Sequence, residues 1–244
     1  MILETFTHKE IHITLRKAYA TLLDRAKSYL DNNYKKIHIQ CKGCDVVERN
    51  VQGTINNQRY SLWTEYRKIG SRILYGASTL HTVFMYRNRK FVIKMYPYGP
   101  DIEHAKYGIA YLTEHFLNRF CERLCLCPAE TNLLEKARLF DRNTDLKVHN
   151  SFDDNIISRF KEPSLHAIFL PKENRKISCE CFKNGDIAIV EYYDKITVWR
   201  TYITKEMLFD SQLNDPSYID TVAKSLADQN KKGDNYCIPE CFRK

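Results

Sequence analysis

Nine cysteines and eight histidines are the residues of this 244-residue chain with the most latent chemistry. The cysteines fall as Cys41-x2-Cys44, Cys121-x3-Cys125-x-Cys127, Cys179-x-Cys181 and Cys237-x3-Cys241. Structural zinc requires two close pairs in knuckle spacing. Only Cys41/Cys44 has that spacing, and its second pair would have to come from far along the chain. An odd count also argues against a disulfide framework, so the expectation is reduced thiols and no metal. Cys179 and Cys181 fit buried strand positions, where a free thiol behaves as a small apolar side chain. His8 and His12 stand one helical turn apart, but no glutamate follows in the zincin position.

Phe91-Val92-Ile93-Lys94 has the pattern of a kinase lysine strand, yet the glycines near Gly70 and Gly76 lack phosphate-loop spacing. No catalytic His-Arg-Asp or Asp-Phe-Gly follows. A nucleophile elbow, a P-loop and a dinucleotide fingerprint are also missing from the sequence. The expectation is a non-catalytic protein with no catalytic residues and no cofactor. The net charge of +8 is compatible with a polyanionic partner, and 43% apolar with 28% charged residues is ordinary for a soluble globular chain. No apolar stretch is long enough to span a membrane, and Met1–His12 lacks a signal-peptide design. That makes an intracellular protein with no membrane partner the expectation.

The elements that would position these residues read as follows. Met1–Leu30 has helical spacing through Ile11, Leu15, Ala18, Leu22, Ala26 and Tyr29, and Asp31-Asn32-Asn33 is a stop. Lys36–Val47 has strand character. Ser61–Ile73 reads as a short helix, with Leu62, Tyr66, Ile69 and Ile73 on one face. Ser78–Tyr86 and Arg89–Tyr96 form a hairpin turning at Arg87-Asn88, and a third strand follows the Tyr98-Gly99 turn. A helix then runs from Ile109 to Leu124 on a continuous apolar stripe.

Much of this pattern recurs. Leu80-His81-Thr82-Val83-Phe84-Met85 matches Leu165-His166-Ala167-Ile168-Phe169-Leu170, and Asn88-Arg89-Lys90 matches Asn174-Arg175-Lys176. Tyr96-Pro97-Tyr98-Gly99 matches Phe182-Lys183-Asn184-Gly185, and Asp101-Ile102 matches Asp186-Ile187. Each copy is expected to end in a helix, Gly108–Leu124 and about Lys195–Phe209. Two such units joined edge to edge predict a mixed α/β (α+β) fold with one pseudo-symmetric antiparallel sheet. Helices would cover one face and leave the other open.

With these residues in place, the chain resembles the TATA-binding protein family, in the divergent form found in large DNA viruses. Asn50-Val51-Gln52-Gly53-Thr54-Ile55-Asn56 is similar to the family's first strand, and Phe182-Lys183-Asn184-Gly185 to its strand–turn. The resemblance covers about Val47–Asp210. It implies a saddle with helices on its convex face, divided as an N-terminal extension (1–46), repeat 1 (47–127), repeat 2 (128–210) and a C-terminal extension (211–244).

It further implies a monomeric transcription-initiation factor that binds double-stranded promoter DNA in the minor groove and recruits a TFIIB-like factor or RNA polymerase. The setting implied is a cytoplasmic viral factory or the nucleus of an infected cell. Leu80/Tyr96 and Leu165/Phe182 would be the wedge pairs that unstack base steps. Asn50 and Asn132 would read A·T acceptors near the centre. Ala188, Val190 and Ile102 would lie flat on the groove floor. Glu180 disagrees with this picture, because alternation places its carboxylate beside Phe182. The alternative expectation is an interaction module that kept the saddle and lost DNA binding.

Overall fold

The computed structural model describes residues 2–41, 46–98, 106–143, 146–150, 175–182, 184–193 and 196–207. The chain opens with a long helix, α1 (His8–Gln40). Thr7 caps it in a reciprocal box: Thr7 Oγ1 accepts from Glu10 N, and Glu10 Oε2 accepts from Thr7 N at 2.7 Å. Ile11, Leu15, Ala18, Leu22 and Ala26 form its fully buried stripe. Asn33, whose amide donates to Tyr29 O at 2.9 Å, leaves helical geometry and kinks the rod without ending it.

A five-stranded meander follows, with β1 (Val46–Ile55), β2 (Gln58–Ile69), β3 (Arg72–Tyr86), β4 (Arg89–Tyr98) and β5 (Lys106–Thr113) paired antiparallel in order. Asn56-Asn57 and Arg87-Asn88 have positive φ at both turn positions, the geometry that suits a two-residue hairpin between right-twisted strands. Two helices, α2 (Glu114–Arg123) and α3 (Leu133–Asn143), precede β6 (Leu146–Asn150), β7 (Arg175–Phe182), β8 (Ile187–Tyr193) and β9 (Ile196–Ile203). The nine strands of the described residues form one sheet, ordered β1-β2-β3-β4-β5-β9-β8-β7-β6. Among the described residues no helix is long and apolar enough to cross a membrane.

The sheet is mostly antiparallel, as the sequence implies, but four expected elements change type. Ser61–Ile73 is strand for most of its length. Leu62 and Tyr66 are four apart, a spacing that fits a strand as well as a helix, and Tyr60, Leu62, Thr64 and Tyr66 alternate onto one buried face. Lys195–Phe209 gives strand β9, because Ile196-Thr197-Val198-Trp199 is β-branched and aromatic and can bury both faces. The apolar stripe over Ile109–Leu124 divides at Thr113, which caps α2 by accepting from Phe116 N at 3.0 Å. Ile109 and Leu112 therefore serve opposite faces of the sheet. The strand expected over Lys36–Val47 is the last turn of α1 up to Gln40, with β1 beginning only at Val46.

Two consequences bear on the expected saddle. The central strands β5 and β9 run parallel, whereas a twofold axis through the sheet would make them antiparallel. Helices also lie on both faces. α1 packs over β1–β3 and the adjoining Phe91, Ile93, Ile109 and Tyr111. On the other side α2 and α3 pack over Val92, Ala110, Leu112, Ala188, Val190 and Trp199.

A candidate recognition cleft

Alternation on β1–β4 sends one set of side chains under α1 and the other to the α3 side. The second set is polar. Cross-strand pairing aligns Gln52, Ser61, His81 and Lys94 in one row and Asn50, Trp63 and Thr79 in the next. Helix α3 crosses this polar area and is fastened by charge. Asp141 Oδ1 accepts from Lys94 Nζ at 2.5 Å, and Asp141 Oδ2 lies 3.0 Å from His81 Nε2. His81 is fully buried, and its Nδ1 has no hydrogen-bond partner among the described residues. Burial by itself would raise the Asp141 pKa, but the charges of Lys94 and His81 outweigh it and hold the carboxyl at about 2.

One turn away, Arg138 and Arg142 both donate to Glu48. Arg138 also sits over the Trp63 ring, with Cζ 3.6 Å from the ring centroid. Desolvation lowers the Arg138 pKa and Glu48 opposes that shift.

Two adjoining clefts flank this fastening and share Trp63 as a wall. The one of about 370 Å³ has Lys94, Arg138 and Arg142 facing Glu48, Glu65 and Asp141. Three cations against three carboxylates give that cleft no net charge. The other, of about 400 Å³, is lined by amides. Asn50 Oδ1 accepts from Ser61 Oγ at 2.7 Å, Gln52 Oε1 from Arg59 Nη2 at 2.7 Å, and Asn132 Oδ1 from Glu135 N at 3.0 Å as the cap of α3. Each of these three amides has its oxygen engaged and presents NH2 donors. Gln58 is the reverse, because its Nε2 donates to Thr82 Oγ1 and Val83 O at 2.7 Å each and its Oε1 is the acceptor left over. Trp63 Nε1 is buried without a partner among the described residues.

Asn50 and Asn132 are thus brought together, although they lie 82 residues apart in the sequence. The other expected contacts are not open. Leu80 is fully buried under α1. Phe182, Ala188 and Val190 do share a face, as alternation requires, but α2 and α3 cover it, and Phe182 packs edge-on against Tyr202 with centroids 5.0 Å apart. Tyr96 is half-buried at the edge of that core, where its ring fills the space beside Gly108. Glu180 is buried and accepts from Tyr192 Oη. Ile102 and Leu165 lie outside the described residues.

Trp63 escaped the sequence reading because Ser61–Ile73 was taken for a helix, which hides the period-two polar face it shares with Ser61. Arg138, Asp141 and Arg142 did carry a signal, since i, i+3, i+4 spacing puts them on one helical face. Among the described residues, no cluster of three or more His, Cys, Asp or Glu could hold a metal ion. Comparison with known proteins gives no match, whether to a family model, a curated protein or a solved structure.

Proposed function

We propose that this chain is a non-catalytic nucleic-acid-binding factor that takes an unpaired or everted base into the cleft between Trp63 and Asn132. The observation that supports this most is that three amides with engaged oxygens, a fourth with its oxygen left over and the Trp63 indole line one cleft. Amide edges read bases, and aromatic rings give a sequence-tolerant platform worth roughly 1–3 kcal/mol per stacked base. Around the same end of the sheet, exposed Arg59, Arg87, Arg89 and Lys90 form a basic rim suited to phosphates.

A donor-rich pocket favours bases rich in carbonyl groups. Thymine or uracil offers O2 and O4 to the amide donors and N3–H to Gln58 Oε1, whereas adenine offers no carbonyl at all. A mispaired edge costs roughly 1–3 kcal/mol.

Promoter DNA and a role in transcription initiation, which the TATA-binding protein resemblance implies, remain part of this proposal in altered form. Wedge insertion would require Leu80 and Phe182 outside the core, so here the amide cleft and basic rim take over recognition. The open saddle face belongs to the same proposal only so far as both α2 and α3 can leave the sheet. The neutral second cleft favours the other reading, an interaction module, because balanced charge pairs suit a peptide better than a phosphate chain. Fluorescence anisotropy with labelled single-stranded and duplex oligonucleotides, at rising salt, separates the two. Micromolar or tighter binding that weakens with a salt slope near −3, from about four phosphate contacts, supports the nucleic-acid reading. Absence of binding to either oligonucleotide at low salt rejects it.

A further inference from the structure

The cysteine motif at the end of α2 has a use that base recognition does not require. Cys121 is buried in the last turn of α2, and Cys127 is half-buried in the loop leading to α3. The chain doubles back between them: Leu126 N donates to Cys121 O at 2.9 Å, and Cys125 takes a positive φ of 50° with its side chain exposed. This turn carries Cys127 back against the same core cluster that buries Cys121, so the two side chains sit beside each other. Lys136, itself buried, donates from Nζ to Asn118 Oδ1 and to Ala129 O at 2.7 Å each, and so ties α2 to the same loop.

We propose that Cys121 and Cys127 form a redox-active dithiol that closes to a disulfide by exchange with a low-molecular-weight disulfide such as oxidised glutathione. In the first step the half-buried Cys127 sulfur, as thiolate, attacks one glutathione sulfur. The glutathione S–S bond breaks, a mixed disulfide forms and one glutathione thiolate leaves. In the second step the Cys121 sulfur gives up its proton to solvent and attacks Cys127 Sγ. The Cys121–Cys127 bond forms, and the second glutathione thiolate departs with the electron pair. The balance is one protein dithiol plus one oxidised glutathione giving one protein disulfide plus two glutathione thiols.

The order of attack follows from the surroundings. Burial, reinforced by Cys127, pushes the Cys121 thiol up to about 12, while the Lys136 ammonium opposes that rise. Cys121 is therefore the weaker first nucleophile and takes the second step, where the mixed disulfide on its neighbour makes the attack intramolecular. The disulfide would pin the end of α2 to the loop that carries Asn132, the cap of α3.

The test uses the full chain, reduced and then equilibrated in glutathione buffers of increasing oxidised fraction, with quenching by alkylation and digestion by trypsin. Arg123 lies between the two cysteines, so cleavage there leaves Cys121 and Cys127 on separate peptides joined only by the disulfide. The expected result is a joined pair with the loss of two hydrogens, retained in Cys125→Ser and absent in Cys127→Ser. The Cys125→Ser protein keeps the proposed pair intact, so it carries the test even if Cys127→Ser fails to fold. The proposal is overturned if Cys125→Ser accumulates only glutathione adducts or alkylated thiols across the whole buffer range. It is equally overturned if the Cys121 cross-link persists in Cys127→Ser.

Discussion

Asp141 is where the attachment of α3 to the sheet can be measured. Its carboxylate receives Lys94 and His81, and its pKa falls from 3.8 to about 2. At 1.36 kcal/mol per pKa unit, that fall is worth about 2–3 kcal/mol of folding stability. A carboxyl whose folded pKa is depressed contributes fully above its unfolded value and loses the contribution as pH drops through the folded value. The whole amount is therefore present above about pH 5, roughly half remains near pH 3, and little is left below pH 2. Asp141→Asn keeps the shape and removes the charge, so it should lower stability by about 2–3 kcal/mol at pH 7. The gap between wild type and variant should narrow as the buffer approaches pH 3. Urea unfolding followed by circular dichroism gives both numbers. Equal stabilities at pH 7, or a gap that stays constant down to pH 3, would refute the electrostatic fastening.

Four further outcomes follow. Phe182→Ala should cost about 3–5 kcal/mol in unfolding free energy, the cost of emptying a packed aromatic site, and a wedge role would instead leave stability nearly unchanged. Gly108→Ala places a Cβ 2.5 Å from Tyr96 Cζ and should lower stability by about 1–3 kcal/mol in thermal or urea unfolding. Asn132→Ala removes the cap of α3 and one cleft donor, so unfolding measurements should show a loss of about 1 kcal/mol together with weaker oligonucleotide binding. Trp63→Phe should weaken oligonucleotide affinity, measured by anisotropy, by about 5- to 10-fold while reducing stability only modestly.

The mixed α and β character and the antiparallel meander were legible because the turn chemistry is local. Arg87-Asn88 and the alternation on either side of it specify the β3–β4 hairpin without help from distant residues. Faces were legible too, since Phe182, Ala188 and Val190 do point the same way. What covers a face was not legible. Alternation states which residues share a side, and only tertiary contact decides whether α2 and α3 lie on it. Short apolar spacings misled in β2 and β9, where Leu62 and Tyr66, or Ile196 and Trp199, fit a helix as well as a strand. Asn50 and Asn132 were singled out for a groove that would read acceptors, and they line one cleft because α3 packs over β3 and β4 and reaches β1 through Arg138 and Arg142. Trp63 gave no sign of this, because its role depends on Arg138, 75 residues further along the chain.

The most direct test of base recognition in the cleft is photo-cross-linking with a single-stranded oligonucleotide carrying 5-iodouracil, followed by mass-spectrometric mapping of the attached peptide. The account predicts attachment within β1 and β2, centred on Trp63, with competition by oligothymidylate at least several-fold stronger than by oligoadenylate. Attachment at Tyr96 or Phe182, or on α1, with equal competition by both oligonucleotides, would contradict it.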